Sequence, residues 1–351
     1  MTTEQAIHSD VTKVADYLYE VTCYDYDDTK MMEHAAHLAN LVKSSHTPPG
    51  GCSAVRVGDY YGRNLDLFYG NYAEFIMHVP AAPGRYASVG VAMIWEGWTP
   101  EYIEAGMPEA DLALLPFCTM DGINEKGVAI NANYIPVHDL EKRTTGTSPG
   151  KMDLPMSFIP RYVLDHAATA REAVEMLYSK CNVFSNQFSE PLSELHFMIC
   201  DPTETYVVEF IENELGYVKD DVMTNFYRGL PDFSLHACGI ERYNILKAYK
   251  DYVESAEDMS LLMQYVKYSK TYDLKNTPRW LSEIHDDADI EKSAAERAAA
   301  LDALSEEAKT KTRKPGNPIW QTTHTSVYDL KNRTMRIHVQ EDYEHSYEFR
   351  V

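Results

Sequence analysis

Apolar positions in the first 45 residues recur at helical spacing. Val14, Leu18 and Tyr19 form one stripe and Met31 to Leu41 another, so this stretch is predicted to be helical. It ends in Ser44-Ser45-His46-Thr47-Pro48-Pro49-Gly50-Gly51, where two prolines and two glycines stop a helix. From Cys52 the period changes to that of strands. Ala54-Val55-Arg56-Val57, Phe75 to Val79, Ser88 to Trp95 and Gly127 to Asn133 are short β-like runs separated by turns such as Val57-Gly58-Asp59. Residues 154–180 are predicted to form two helices, the second around Ala170 to Leu177. Strands return at Leu195 to Cys200 and Tyr206 to Phe210, and helices at Arg242 to Val253 and Met259 to Tyr268. Met335, Ile337 and Val339 alternate with polar neighbours in a closing hairpin.

Strands and helices thus come in blocks, which favours an α+β fold with mainly antiparallel sheets over a doubly wound one. Phe197-Met198-Ile199-Cys200 is apolar on both faces, so its sheet is expected to be covered on both sides. Residues 284–314 stand apart in composition. Asp287 to Lys314 is rich in Ala, Glu, Asp and Lys and has no aromatic residue, as expected of a solvated helix in a surface insertion.

Composition narrows the function. The chain has 351 residues, 44% hydrophobic and 25% charged, as in a globular protein with a real core. Its net charge of -22 opposes binding to nucleic acid phosphates or anionic membranes. No apolar run is long enough to span a bilayer. Met1 to Glu20 lacks the basic-then-apolar plan of a secretion signal, so the cytoplasm is the expected location. The six cysteines show no CxxC pair and no disulfide framework. Phosphate-binding glycine loops and HExxH are absent. His34 and His37 share a helix face without a third ligand, and no metal or cofactor is expected.

The stretch with chemical content is Gly51-Cys52-Ser53-Ala54, followed by Gly62-Arg63-Asn64-Leu65-Asp66. A cysteine stands where a Pro/Gly segment meets the first strand. Cleavage of the Gly51–Cys52 bond would give Cys52 a free α-amine of pKa about 7.7–8.0. Such a residue carries its own nucleophile and base. A guanidinium from Arg63 near the sulfur would favour thiolate, and a carboxylate from Asp66 could hold the ammonium. The same two residues could equally be a plain hairpin ion pair.

With these residues in order, the chain resembles the choloylglycine hydrolase family of bile salt hydrolases and penicillin V acylases, which are N-terminal-nucleophile hydrolases. The similarity rests on Cys52, on Gly62-Arg63-Asn64-Leu65-Asp66 and on Asp121-Gly122-Ile123-Asn124-Glu125-Lys126-Gly127. Val222-Met223-Thr224-Asn225, Glu241-Arg242-Tyr243 and Ser326-Val327-Tyr328-Asp329 extend it over about residues 50–351. The resemblance implies a four-layer αββα sandwich of two mainly antiparallel sheets. It implies Cys52 as nucleophile with its α-amine as base, Asp66 orienting that amine and Arg63 against the sulfur. Asn225 would donate to the oxyanion, and Arg242 would complete the polar site. Tyr134 falls where penicillin V acylases have tyrosine and bile salt hydrolases often asparagine. It would offer its backbone N–H to the oxyanion, unless a one-residue shift puts Asn133 there. A homotetramer is also implied.

On this reading residues 1–51 are a helical pro-segment and 52–351 the catalytic domain, self-activated by cleavage between Gly51 and Cys52. The expected partner is a small-molecule N-acyl amide. Two alternatives stand beside a hydrolase: an N-acyltransferase using the same thioester, and an unprocessed binding protein without turnover. A histidine base of the papain kind ranks last, because no histidine lies in a context that singles it out.

Overall fold

The alternation that begins at Cys52 builds a hairpin in which Gly51–Val57 pairs antiparallel with Tyr60–Phe68 across Gly58-Asp59. Gly58 has φ 56°, a left-handed value that a two-residue hairpin turn requires and that glycine adopts without strain. The structure, a computed structural model, describes residues 7–27, 33–35, 51–68, 72–93, 98–135, 145–184, 194–211, 214–229, 239–267 and 320–351.

In chain order the strands are β1 (Thr12–Ala15), β2 (Leu18–Thr22), β3 (Gly51–Val57), β4 (Tyr60–Phe68), β5 (Glu74–Val79), β6 (Ser88–Ala92), β7 (Thr119–Asn124) and β8 (Ala129–Ile135). They continue with β9 (Met152–Pro155), β10 (Cys181–Phe184), β11 (Glu194–Cys200), β12 (Thr205–Ile211), β13 (Glu214–Val218), β14 (Val222–Met223), β15 (Trp320–Asp329), β16 (Thr334–Val339) and β17 (Tyr347–Arg350). The helices are α1 (Pro100–Glu104), α2 (Glu109–Leu112), α3 (Ile159–His166), α4 (Ala170–Lys180), α5 (Ile240–Tyr249) and α6 (Ala256–Tyr265). A nine-stranded sheet runs β1-β2-β5-β6-β7-β8-β11-β12-β13, and a six-stranded sheet runs β14-β3-β4-β15-β16-β17. Every pairing within these two sheets is antiparallel except β2 with β5.

The buried clusters show how the layers stack. Leu18, Ile76, Val91 and Met198 from the large sheet meet Ala54, Tyr61, Tyr328 and Ile337 from the small one. On the outer face of the large sheet, Ile159 and Val163 of α3 and Leu177 of α4 pack with Phe75, Phe197 and Val208. On the outer face of the small sheet, Leu246 of α5 and Met259 and Met263 of α6 pack with Val55, Val222 and Val327. The result is the expected α+β arrangement, a four-layer αββα sandwich. Both faces of β11 are covered, as its unbroken apolar run requires.

The N-terminal helix expected around Val14, Leu18 and Tyr19 is not formed. These residues lie in β1 and β2, and β2 runs parallel to β5 from Leu18 beside Glu74 to Thr22 beside His78. Leu18 faces the other sheet, while Tyr19 and Val21 face the helices. Over so short a stretch the apolar positions fit either period, and only pairing with β5 selects strand. Residues 12–22 are therefore the edge of the main sheet. Of the second predicted stretch, residues 33–35 are described and are helical. Gly50, the rest of that stretch and the insertion at 284–314 lie outside the described residues.

Candidate active site

Cys52 is the second residue of β3 and lies opposite Leu65 of β4. Its side chain points between the sheets and packs with Leu65, Leu67, Tyr72 and Met93; the thiol is free and 2% exposed. Strand β14 pairs with β3 at Val222–Val55 and Met223–Ala54, so the chain just after it is delivered to Cys52. There the backbone N–H of Cys52 donates to Asn225 Oδ1 at 2.7 Å, and Asn225 Nδ2 donates to the Tyr134 carbonyl at 2.6 Å. The expected partners Cys52, Asn225 and Tyr134 are thus joined in one chain of hydrogen bonds.

Arg242, three residues into the stretch that opens α5 at Gly239, folds back over this point. It donates to the Cys52 carbonyl through Nη1, to Ser53 Oγ at 2.7 Å, and to Asn225 Oδ1 through Nη2 at 2.8 Å. Gly239 makes this approach possible: it has φ 87°, and a Cβ there would lie 2.5 Å from Arg242 Nη2. With two donors on Oδ1, the orientation of the Asn225 amide is settled by its neighbours.

Arg63 and Asp66 are three apart on one strand and therefore face opposite ways. Asp66 points to the outer side, where Oδ1 accepts from Thr322 Oγ1 at 2.6 Å and Oδ2 lies 3.5 Å from Arg242 Nη1. Arg63 points between the sheets, where Nη1 lies 3.0 Å from Asp121 Oδ1 and Nη2 donates to the Ala132 carbonyl at 3.2 Å. The plain hairpin ion pair is not formed, and the partner of Arg63 is the first residue of the Asp121-to-Gly127 motif.

Burial dominates the electrostatics. It pushes the Cys52 thiol up from its ordinary value; Asp66 pushes the same way, while Arg63 and Arg242 pull the thiol back. The thiolate that Arg63 was expected to secure is therefore outweighed in this state. Burial likewise raises Asp66 to about 7, against the pull of Arg242 and the Thr322 hydrogen bond. Asp121 goes the other way: burial alone would raise it, but Arg63 and His324 hold it well below the usual carboxylate range.

These two shifts act on stability with opposite signs. The folded chain prefers protonated Asp66, so its contribution is complete below the ordinary carboxylate pKa and is lost as pH rises through about 7. The contribution of Asp121 is present above its ordinary value and is lost only as pH falls through its depressed one. Between pH 5 and 8 the unbroken chain is expected to lose about 2–3 kcal/mol relative to the same chain with Asp66→Asn. Urea unfolding of the two, each also carrying Cys52→Ala so that the chain stays whole, measures the difference at the two pH values, and parallel curves would contradict the raised Asp66.

Residues that the sequence did not single out complete the surroundings. Thr322 holds Asp66, Ser53 shares Arg242, and His324 and Glu74 adjoin the Arg63–Asp121 pair. Ser53 adjoins Cys52 in the chain, whereas Thr322, His324 and Glu74 have no local mark, because they reach the site only through strand pairing.

A cysteine on an inner strand, with its backbone gripped by an asparagine and an arginine inside an αββα sandwich, defines a candidate amide-cleaving centre. The family profile of linear amide C–N hydrolases, choloylglycine hydrolase family, matches residues 54–276, more than half of the chain. The chain belongs to that family. It is 28% identical over 204 residues to a bile salt hydrolase/transferase from Lactiplantibacillus plantarum, a match covering 56% of this chain and 57% of that protein. It is 31% identical over 115 residues to a penicillin V acylase from Pectobacterium atrosepticum, 30% of each. The chain thus spans a little over half the length of the first relative and under a third of the second. A crystal structure of a variant conjugated bile acid hydrolase from Clostridium perfringens superposes with a TM-score of 0.47 at 16% identity, covering 86% of this chain and 92% of that one. Among the described residues no helix is long and apolar enough to cross a membrane.

Proposed function

We propose that this protein is a cysteine amidohydrolase that cleaves a non-peptide linear amide of a small N-acyl compound, after cutting its own chain between Gly51 and Cys52. The observation that carries this reading is the hydrogen bond from the Cys52 backbone nitrogen to Asn225, reinforced by Arg242. Any buried backbone N–H needs an acceptor, but here the acceptor is a side-chain amide that is itself held by a buried arginine rather than a strand carbonyl. Side chains so placed would stay on the nitrogen after cleavage and orient it as the general base.

In self-cleavage the Cys52 sulfur attacks the Gly51 carbonyl and gives up its proton. The C–N bond breaks, the nitrogen takes that proton, and residues 1–51 remain as a thioester that water hydrolyses. The mature Cys52 α-amine then receives the thiol proton as the sulfur attacks a substrate amide. The departing amine takes the proton back, and water, deprotonated by the same amine, frees the acid. Asp66 holds the α-ammonium, and its proximity lowers the pKa of Asp66 from the value in the unbroken chain. Arg63 supplies positive charge to the sulfur. The second N–H of Asn225 Nδ2 and the backbone N–H of Tyr134 receive the oxyanion; one such donor contributes about 2.7–4 kcal/mol.

A second reading, acyl transfer to an amine, is favoured by the name of the Lactiplantibacillus plantarum relative, a hydrolase/transferase. Product analysis with an added amine separates the two.

Denaturing intact-mass spectrometry of the wild type tests the main reading. The expected product begins at Cys52. A chain that stays whole yet hydrolyses amides would exclude the α-amine base, and a whole chain that binds but never turns over would favour the binding protein. Under native conditions the released segment is expected to stay bound. Strand β2 keeps its ladder to β5, and Tyr26 Oη keeps its 2.5 Å bond to Asp165. Native mass spectrometry should therefore record both fragments in one particle, and separate particles would refute the retention.

A further inference from the structure

Four charged side chains lie fully buried between the sheets beside the Cys52 strand, and the chemistry above uses one of them. Glu74 opens β5, Asp121 lies in β7, Arg63 in β4 and His324 in β15, and all are 0% exposed. His324 is central. Its Nδ1 lies 2.8 Å from Glu74 Oε1, and its Nε2 lies 3.0 Å from Asp121 Oδ1. Arg63 Nη1 reaches the same Asp121 oxygen at 3.0 Å and stands 2.7 Å from His324 Nε2. Two cationic groups therefore converge on one carboxylate oxygen, while Tyr328 Oη donates to the other at 2.5 Å. Tyr61, stacked on Tyr328, closes the group from β4.

A local feature of β15 brings His324 there. Thr322 pairs with Asp66 and His324 with Leu65, so Thr323 is an extra residue in the ladder. Without that bulge, residue 324 would face the outer side with Thr322 and Asp66. The extra residue reverses the alternation and turns the imidazole between the sheets.

The groups facing the imidazole fix its charge. Burial alone would lower its pKa, but the carboxylates of Glu74 and Asp121 outweigh burial and raise it to about 9. At neutral pH both ring nitrogens donate, one to each carboxylate. Neither is left to act as a base for the thiol.

We propose that His324, anchored by Glu74, is a positioning residue for the nucleophile: by sharing Asp121 Oδ1 it leaves the positive charge of Arg63 directed at the Cys52 sulfur. This role has meaning for catalysis only if Cys52 is the nucleophile, as proposed above. If the imidazolium is lost, Asp121 takes Arg63 for itself, and two carboxylates face a single cation near the sulfur. Both changes raise the thiol pKa. If instead the imidazole is present but neutral, Nε2 accepts from Arg63 Nη1 and draws the guanidinium aside, a smaller effect in the same direction.

The test is the titration of the Cys52 thiolate by its ultraviolet absorbance. It is taken as the difference between full chains with and without Cys52→Ala, in the wild type, His324→Gln and Glu74→Gln. The inflection is expected to rise by about one pH unit in His324→Gln, tenfold less thiolate at neutral pH, and by about half a unit in Glu74→Gln. For amide turnover, kcat should fall in proportion while KM stays put. A merely structural role would lower the melting temperature and leave the inflection in place. An unmoved inflection in the folded variants overturns the proposal, and the near-isosteric Glu74→Gln serves if His324→Gln does not fold. Should Cys52→Ala leave amide turnover intact, the hydrolase reading fails, while the inflection still reports whether this network sets the thiol.

Discussion

Replacing Cys52 with alanine is expected to keep the chain whole and to lower amide turnover by about 10⁶-fold, the scale of loss when an acyl-transfer nucleophile is removed. The fold should survive, because the buried thiol packs mainly with Leu65, Leu67, Tyr72 and Met93 and its loss removes no charge. Asn225 and Arg242 grip backbone atoms and Ser53, which alanine leaves in place. Cys52→Ser is the sharper control. It keeps size and polarity and, if the chain is processed, the α-amine, but its hydroxyl gives far less anion than a thiol at neutral pH. Self-cleavage and turnover should then both slow, and both should vanish in alanine. Intact mass and single-turnover acyl release measure the two steps. Retention of full amide turnover by Cys52→Ala would remove the cysteine from the mechanism.

Replacing Asp121 with alanine is expected to destabilise the protein by about 3–5 kcal/mol, the usual result of deleting one partner of a buried charge pair. Asp121 Oδ1 meets both Arg63 and His324, and all three side chains are fully buried. Without the carboxylate two cations face each other at 2.7 Å, and only Glu74 answers them. The hydroxyl of Tyr328 also loses its acceptor. Asp121→Asn keeps the shape and one acceptor, so it should lose less than alanine. Urea denaturation gives both values, and a loss below about 1 kcal/mol for alanine would show that the network does not support the fold.

Much of the site is legible along the chain because its backbone frame is local. The β3–β4 hairpin follows from alternation and a glycine turn, and it alone brings Cys52, Arg63 and Asp66 together. Val222-Met223-Thr224-Asn225 and Glu241-Arg242-Tyr243 stand out through the family resemblance, and Asn225 and Arg242 in them lie against Cys52 in the fold. The strand–helix blocks predicted from residues 154 to 253 also match the elements formed. The N-terminal hairpin was not legible, since its apolar positions satisfy two periods at once. Its identity as the sheet edge comes from β5, more than fifty residues away.

By itself, the sequence determined the α+β class, the main strand and helix blocks after Cys52 and the cysteine at the head of the first hairpin strand, while the polar residues that meet it were marked by the resemblance to a known family. Periodicity and turn chemistry are local and act within a few residues. Only the tertiary structure decided that Arg63 and Asp66 serve opposite faces, that burial outweighs Arg63 at the thiol, and that a bulge aims His324 at Asp121. Those outcomes depend on which strands pair, in what register, and how much water is excluded when two sheets close on one another. None of these is a property of any short stretch of chain.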